Sequence, residues 1–140
     1  MLMSHDPLAD QVWRVMSAVV LDNKDAWRRS AVSRTGLPFS RIRILRRLSR
    51  QPMTVKQVAE AATLDAPAAT VAVNDLEARG LVIRETDPEN RRCKLVSLTE
   101  SGRKVVTLLD EIEDPAPQAL AALDSDDLAV LHQILAKLAR

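Results

Sequence analysis

Residues 79–104, Arg-Gly-Leu-Val-Ile-Arg-Glu-Thr-Asp-Pro-Glu-Asn-Arg-Arg-Cys-Lys-Leu-Val-Ser-Leu-Thr-Glu-Ser-Gly-Arg-Lys, interrupt a chain whose other apolar residues recur at helical spacing. Two short β-prone runs, Leu81-Val82-Ile83 and Lys94-Leu95-Val96-Ser97-Leu98, flank a polar loop that holds an adjacent arginine pair, Arg91 and Arg92. Thr99-Glu100-Ser101-Gly102 then returns the chain to a helical pattern. The fold class this dictates is mainly α with one small β-hairpin.

The helices can be placed around that hairpin. Leu8, Val12, Val15 and Val19 fall at helical spacing, which predicts a first helix from Asp6-Pro7 to beyond Trp27, broken at Gly36-Leu37-Pro38. A second helix is predicted over residues 39–50, with Ile42, Leu45 and Leu48 inward and Arg43, Arg46, Arg47 and Arg50 largely outward. Thr54-Val55-Lys56-Gln57 reads as a capping box, in which threonine and glutamine satisfy the first free amides of a helix. After the turn Thr63-Leu64-Asp65, Asp65 can cap a further helix that tolerates Pro67 in its first turn and stops at Gly80. Two helices joined by so short a turn form a helix-turn-helix unit. Beyond the hairpin, helices are predicted at about residues 100–114 and 126–139, separated by Pro115 and Pro117.

With 140 residues, the chain is one domain's worth. Aromatic rings are limited to Trp13, Trp27 and Phe39, so the core must be built from Leu, Val, Ile and Ala. No apolar run is long enough to span a bilayer. The opening Met-Leu-Met-Ser-His-Asp lacks a basic segment followed by an apolar one, so no secretory signal is expected, and a single cysteine fits a reducing cytoplasm. The net charge of +1 hides an asymmetry: residues 26–59 hold nine Lys/Arg and no acid, whereas residues 110–127 hold seven acids and no base. The basic stretch suits a polyanion such as nucleic acid, or else the two stretches neutralise each other within the fold or across a dimer.

Helix, helix, turn, helix, hairpin is the order of a winged helix-turn-helix, whose third helix can lie in a major groove while the hairpin tip reaches the backbone or minor groove. The motifs are specific enough to name a family. Leu76-Glu77-Ala78-Arg79-Gly80-Leu81-Val82-Ile83-Arg84, Asp87-Pro88-Glu89-Asn90-Arg91-Arg92, Leu98-Thr99-Glu100-Ser101-Gly102 and Leu123-Asp124-Ser125-Asp126-Asp127-Leu128 follow one another in order. Together they resemble the multiple-antibiotic-resistance regulator (MarR) family of bacterial transcription factors. The resemblance implies one domain over residues 1–140, with a winged helix-turn-helix DNA-binding region at 37–98 and a helical dimerisation region at 6–34 and 100–140. It implies a homodimer on a palindromic operator, most often a repressor, often answered by a small aromatic ligand, and a cytoplasmic protein without cofactor. Leu128, Leu131, Leu135 and Leu138 line one stripe of the last helix, and Leu8, Val12 and Val15 line the first. Those are more apolar faces than one small winged domain can bury, which independently favours a dimer.

On the recognition helix, Ala69, Ala72, Val73 and Leu76 share the core face, while Pro67, Ala68, Thr70, Val71 and Asn74 present the DNA-facing surface. Asn suits adenine, and Val71 with the Thr70 methyl suits thymine methyls, so an A/T-leaning site is expected. Arg91 and Arg92 on the wing, with Arg84 and Lys94 on its strands, are the expected backbone and minor-groove contacts, and Asp87 and Asn90 shape the loop, Asp87 as the local partner of Arg92. Thr54 and Lys56 stand where free helix amides favour a phosphate. Arg46, Arg47 and Arg50 are left between two roles, phosphate contact and pairing with the acidic segment.

Other chemistries find less support. Cys93 starts a wing strand and reads as an inert thiol more readily than as a sensor, although its cationic neighbours would favour a thiolate. His5 and His132 lie at opposite ends of the sequence, so no metal site is expected. Neither a glycine-rich phosphate loop nor a nucleophile–base pair stands out, and no enzyme is expected. Trp13, Trp27 and Phe39 are candidates for an aromatic effector pocket, or simply core anchors. The rival function from another class is a protein-interaction module, a winged helix whose apolar Pro67, Ala68 and Val71 surface no longer reads DNA.

Overall fold

The computed structural model of the protein describes residues 6–139; His5 and the opening residues scrutinised for a secretory signal lie outside the described residues. Helix α1 (Pro7–Asn23) begins where Asp6 Oδ1 accepts hydrogen bonds from the amides of Leu8 at 3.0 Å and Ala9 at 3.4 Å, with Pro7 at the first helical position. The expected single helix through Trp27 is in fact two. Asn23 turns its side-chain amide back to donate to the Val19 carbonyl at 2.7 Å, the chain leaves the helix at Lys24, and α2 (Asp25–Thr35) starts afresh. A side-chain amide competes for a helical carbonyl in this way, and helical periodicity cannot register it. The break separates two environments: α1 buries no residue, whereas α2 buries Trp27 and Ala31.

Gly36 in the left-handed conformation (φ 70°) closes α2, and α3 (Phe39–Leu48) follows, burying Ile42, Ile44, Leu45 and Leu48. Helix α4 (Val55–Ala62) carries the expected capping box in full. The Gln57 amide donates to Thr54 Oγ1 at 3.1 Å, and the Thr54 amide donates to Gln57 Oε1 at 2.9 Å. A turn through Thr63 leads to α5 (Ala66–Ala78), capped by Asp65, whose Oδ1 accepts from the Ala68 amide at 2.7 Å. Helix α5 buries Ala69, Ala72, Val73 and Leu76, the four residues expected on its core face.

Strands β1 (Val82–Thr86) and β2 (Lys94–Leu98) pair antiparallel, from Val82 opposite Leu98 to Thr86 opposite Lys94. The first strand therefore starts later and runs further than Leu81-Val82-Ile83. Met53 adds a third, one-residue edge: its amide donates to the Val96 carbonyl at 3.0 Å and its carbonyl accepts from the Val96 amide at 2.7 Å. This ties the entry to α4 onto the hairpin. Helix α6 (Glu100–Glu111) is shorter than the expected 100–114, and the proline segment holds a single turn, α7 (Gln118–Ala121). Helix α8 (Ser125–Leu138) begins at an Asp124 cap.

One core joins α2, α3, α4, α5, the hairpin and α6, with Ile42, Leu45, Leu76 and Val96 fully buried and Leu109 and Ile112 closing it from α6. The hairpin is thus anchored at its root and free at its tip. At the root, Thr99 Oγ1 donates to the Gly80 carbonyl at 2.6 Å and accepts from the Gly102 amide at 3.1 Å, while the Thr99 amide donates to the Leu81 carbonyl at 3.1 Å. Gly80 has φ 75°, the left-handed turn that lets α5 pass directly into β1.

Asp75 fixes α5 to α3. Its two carboxylate oxygens accept from Arg41 Nε at 3.0 Å and from Arg79 Nε at 3.1 Å. The hydrogen bond from Arg41, followed by that from Arg79, holds the carboxyl below the ordinary carboxylate range. A depressed folded-state value means stability that is present above about pH 4 and lost as pH falls through the folded pKa. Asp75→Asn is therefore expected to lower the melting temperature at pH 7 and to narrow its gap from the parent as the pH is taken well below 4. A gap that stays constant across a series of thermal melts would show that the pairing contributes nothing.

Candidate nucleic-acid interface

The exposed face of α5 and the wing lie on consecutive stretches of chain, and the hydrogen bonds say how they are set. Pro67, Thr70, Val71 and Asn74 are exposed and Ala68 half-buried, with Val71 60% exposed despite its apolar side chain. Thr54 caps α4 and is half-buried, and Lys56, in the first turn of α4, is exposed. A helix start with an exposed lysine is a fitting seat for a phosphate.

The wing loop is shaped by its own side chains. Asp87 Oδ1 accepts from the Glu89 amide at 2.9 Å, and Asn90 Oδ1 accepts from the Arg92 amide at 3.2 Å. Backbone bonds from Asp87 to the Cys93 carbonyl and from Cys93 to the Asn90 carbonyl close the turn. Asp87 therefore partners the Glu89 amide, and no ion pair joins it to Arg92 among the described residues. A short carboxylate two residues from an amide makes an Asx turn more readily than it reaches an arginine five positions on. Cys93 is half-buried and its sulfur accepts from the Asn90 side-chain amide at 3.4 Å.

Arg91, Arg92 and Lys94 are exposed, and among the described residues none of their cationic groups has a hydrogen-bond or ion-pair partner. These cationic groups have no structural partner within the chain, although Glu85, Asp87 and Glu89 share the same hairpin and balance its net charge. Arg84 differs. Its guanidinium donates to Glu77 Oε1 at 2.7 Å and to Asn74 Oδ1 at 2.7 Å, so it clamps β1 to α5. The pairing was not legible in sequence, because Arg84 and Asn74 meet only after the chain has reversed through Gly80.

Residues 35–92 match the sequence profile of the MarR family. This segment is a MarR-family winged helix-turn-helix. The fold of the described chain agrees along nearly its whole length. Wild-type MarR from E. coli in its apo form is 21% identical, covering 96% of this chain and 98% of that one, with a TM-score of 0.69. The transcriptional regulator BldR from Sulfolobus solfataricus is 24% identical over 96% of this chain and 99% of its own, with a TM-score of 0.65. A mutant of MepR from S. aureus bound to an oligodeoxyribonucleotide is 22% identical, covering 93% of this chain and 94% of its own, with a TM-score of 0.60. The chain thus has the fold of the MarR transcriptional regulators, mainly helical with a two-stranded hairpin.

Outside the segment matched to the MarR family, two helices carry apolar faces that this chain does not cover. On α1, Leu8, Val12, Val15 and Trp13 are exposed; on α8, Leu135 and Leu138 are exposed and Leu128 and Leu131 half-buried. Trp13 is 68% exposed and lines a surface cleft with Met16, Ser17, Val20 and Leu21. It is remote from the other rings: Trp27 and Phe39 meet edge to face, 6.2 Å between centroids, beside a separate cleft of about 290 Å³. Within the chain the three aromatics named as one pocket are therefore one pair and one outlier that lines a different cleft. Among the described residues no helix is long and apolar enough to cross a membrane, and no group of His, Cys, Asp and Glu could hold a metal ion.

Proposed function

We propose that the protein is a DNA-binding transcriptional regulator, a homodimer that occupies a palindromic, A/T-leaning operator and represses from it. The observation that carries this reading is the conjunction of an exposed Thr70–Val71–Asn74 face with unpaired Arg91, Arg92 and Lys94 on the adjoining wing. Phosphate contacts from the wing, Lys56 and the start of α4 would supply affinity and position, and the α5 face would read bases. The winged region 37–98 would do the binding. The exposed stripes of α1 and α8, within 6–34 and 100–140, would meet their copies across a two-fold axis. A small aromatic effector would act near Trp27 and Phe39.

Asn74 carries a restriction of its own. Bidentate reading of adenine uses both the amide oxygen and the amide nitrogen. With its oxygen accepting from Arg84, only the NH₂ group of Asn74 is free to donate, so adenine reading requires Arg84 to share or release that oxygen. Asn74→Ala is expected to relax sequence preference while leaving most phosphate-derived affinity, lowering the ratio of operator to scrambled-duplex affinity by about tenfold for one lost base contact. An unchanged ratio would remove Asn74 from the readout.

Val71 favours a second reading. An apolar residue 60% exposed beside Pro67 and Ala68 is also the beginning of a protein-docking face. Binding to a library of short duplexes at two salt concentrations separates the two. A selected palindrome whose affinity falls steeply with salt supports the regulator, and weak binding without preference supports the interaction module.

A further inference from the structure

Of the two roles the sequence leaves to Arg46, Arg47 and Arg50, ion pairing with the acidic segment is not formed among the described residues. Arg43, Arg46 and Arg47 lie on one side of the α3 axis, and Arg50 follows in the turn just past its Ser49 C-cap. Together with Ser49 they line a cleft of about 320 Å³, closed on its far side by Val106 and Asp110 of α6. Among the described residues none of the four forms an ion pair, and the acidic segment reaches the basic half of the chain only through Lys24 and Asp114 at 2.6 Å. One carboxylate, Asp110, faces four guanidiniums.

Position argues against DNA as the anion. Arg41, which grips Asp75 of the recognition helix, marks the side of α3 turned towards α5. At 100° per residue Arg43, Arg46 and Arg47 centre roughly half a turn of the helix away from it. They look towards α6, with the recognition face on the opposite side. The cleft is also partly preorganised. The Arg46 guanidinium stacks 4.8 Å from the centre of the Trp27 ring, and Trp27 is itself held edge-on by Phe39. Stacking fixes the plane of a guanidinium and leaves its N–H edge to donate.

We propose that this cleft binds a small, multiply charged anion of the phosphate-bearing class. Paired N–H donors from planar guanidiniums match phosphate oxygens bidentately, and several such forks on one helical face hold a dianion or trianion better than a single carboxylate. Binding would remove the mutual repulsion of the four cations and draw α6 towards α3.

The test is calorimetric titration of the full chain with inorganic pyrophosphate at constant ionic strength, alongside the Arg47→Gln/Arg50→Gln variant. Both substituted residues are exposed and outside the Trp27 stack, so the variant's unliganded melt should match the parent. The expected result is saturable binding, one site per chain, weakened about tenfold or more in the variant through lost charge-assisted hydrogen bonds. No saturable heat, or equal binding by both proteins, would overturn the proposal. So would a variant that binds duplex DNA more weakly with a shallower salt dependence, since the arginines would then belong to the DNA interface. The titration contains no DNA, so this site and the operator-binding reading can fail separately.

Discussion

Gly102→Ala should lower the melting temperature by about 10 °C, far more than any surface substitution in this chain. A Cβ at residue 102 would collide with the Leu81 carbonyl oxygen and press on the Leu98 side chain. The obstacle is backbone, so no rotamer change relieves it. That carbonyl also accepts the Thr99 amide, so moving it breaks the joint between α6 and the wing root. An overpacked site of this kind costs about 3 kcal/mol, and each kcal/mol shifts the midpoint of a domain this size by roughly 3–4 °C. Gly36→Ala supplies the comparison. Nothing stands within 4 Å of a Cβ there, and the penalty is only that of φ 70°, about 1 kcal/mol. Thermal melts of the two variants decide the matter: equal drops would mean that the contact at Gly102 is not what requires glycine.

Reversing the wing charges should have the largest effect on binding. Arg91→Glu with Arg92→Glu turns two unpaired cations into anions at the tip proposed to meet DNA, a change of four charge units per chain. Counterion release makes affinity for a duplex depend steeply on the number of cations in contact, so a loss of about a hundredfold or more at moderate salt is expected, with a shallower salt slope. Fold and dimer should persist. Both side chains are exposed without partners, and the loop is held by Asp87, Asn90 and backbone bonds that the substitutions leave alone. Fluorescence anisotropy with a labelled duplex, beside a circular dichroism melt, reads both properties. Full affinity in a folded variant would take the wing out of the interface.

The two substitutions fall on neighbouring parts of one device, and they differ in how legible they were. Gly102 belongs to a motif that sequence alone singled out, but its reason is tertiary. The first turn of α6 lies against the strand entry, and only three-dimensional proximity shows that no side chain fits. The arginine pair is the reverse case. Its exposure follows from a polar loop between β-prone runs, since nothing in such a loop can bury a guanidinium.

Local chemistry determined the α4–turn–α5 unit, the hairpin and the caps. Thr54 with Gln57, Asp65 and Gly80 act over four residues or fewer, and so act before any distant contact forms. The core face of α5 was equally determined, because helical geometry alone puts Ala69, Ala72, Val73 and Leu76 together. Tertiary structure decided what depends on meetings across the chain. An apolar periodicity that read as one helix is two, parted at Lys24, and Trp13 and Trp27 line different clefts. Chain reversal at Gly80 brought Arg84 onto Asn74 and Glu77, a clamp between strand and helix that residue spacing could not show. Packing of α6 against α3 left four arginines around one cleft without the acidic partners that charge balance suggested. Residue type and spacing specify which groups share a face of an element; which face meets which is set by the mutual burial of apolar surface, a property of the whole core.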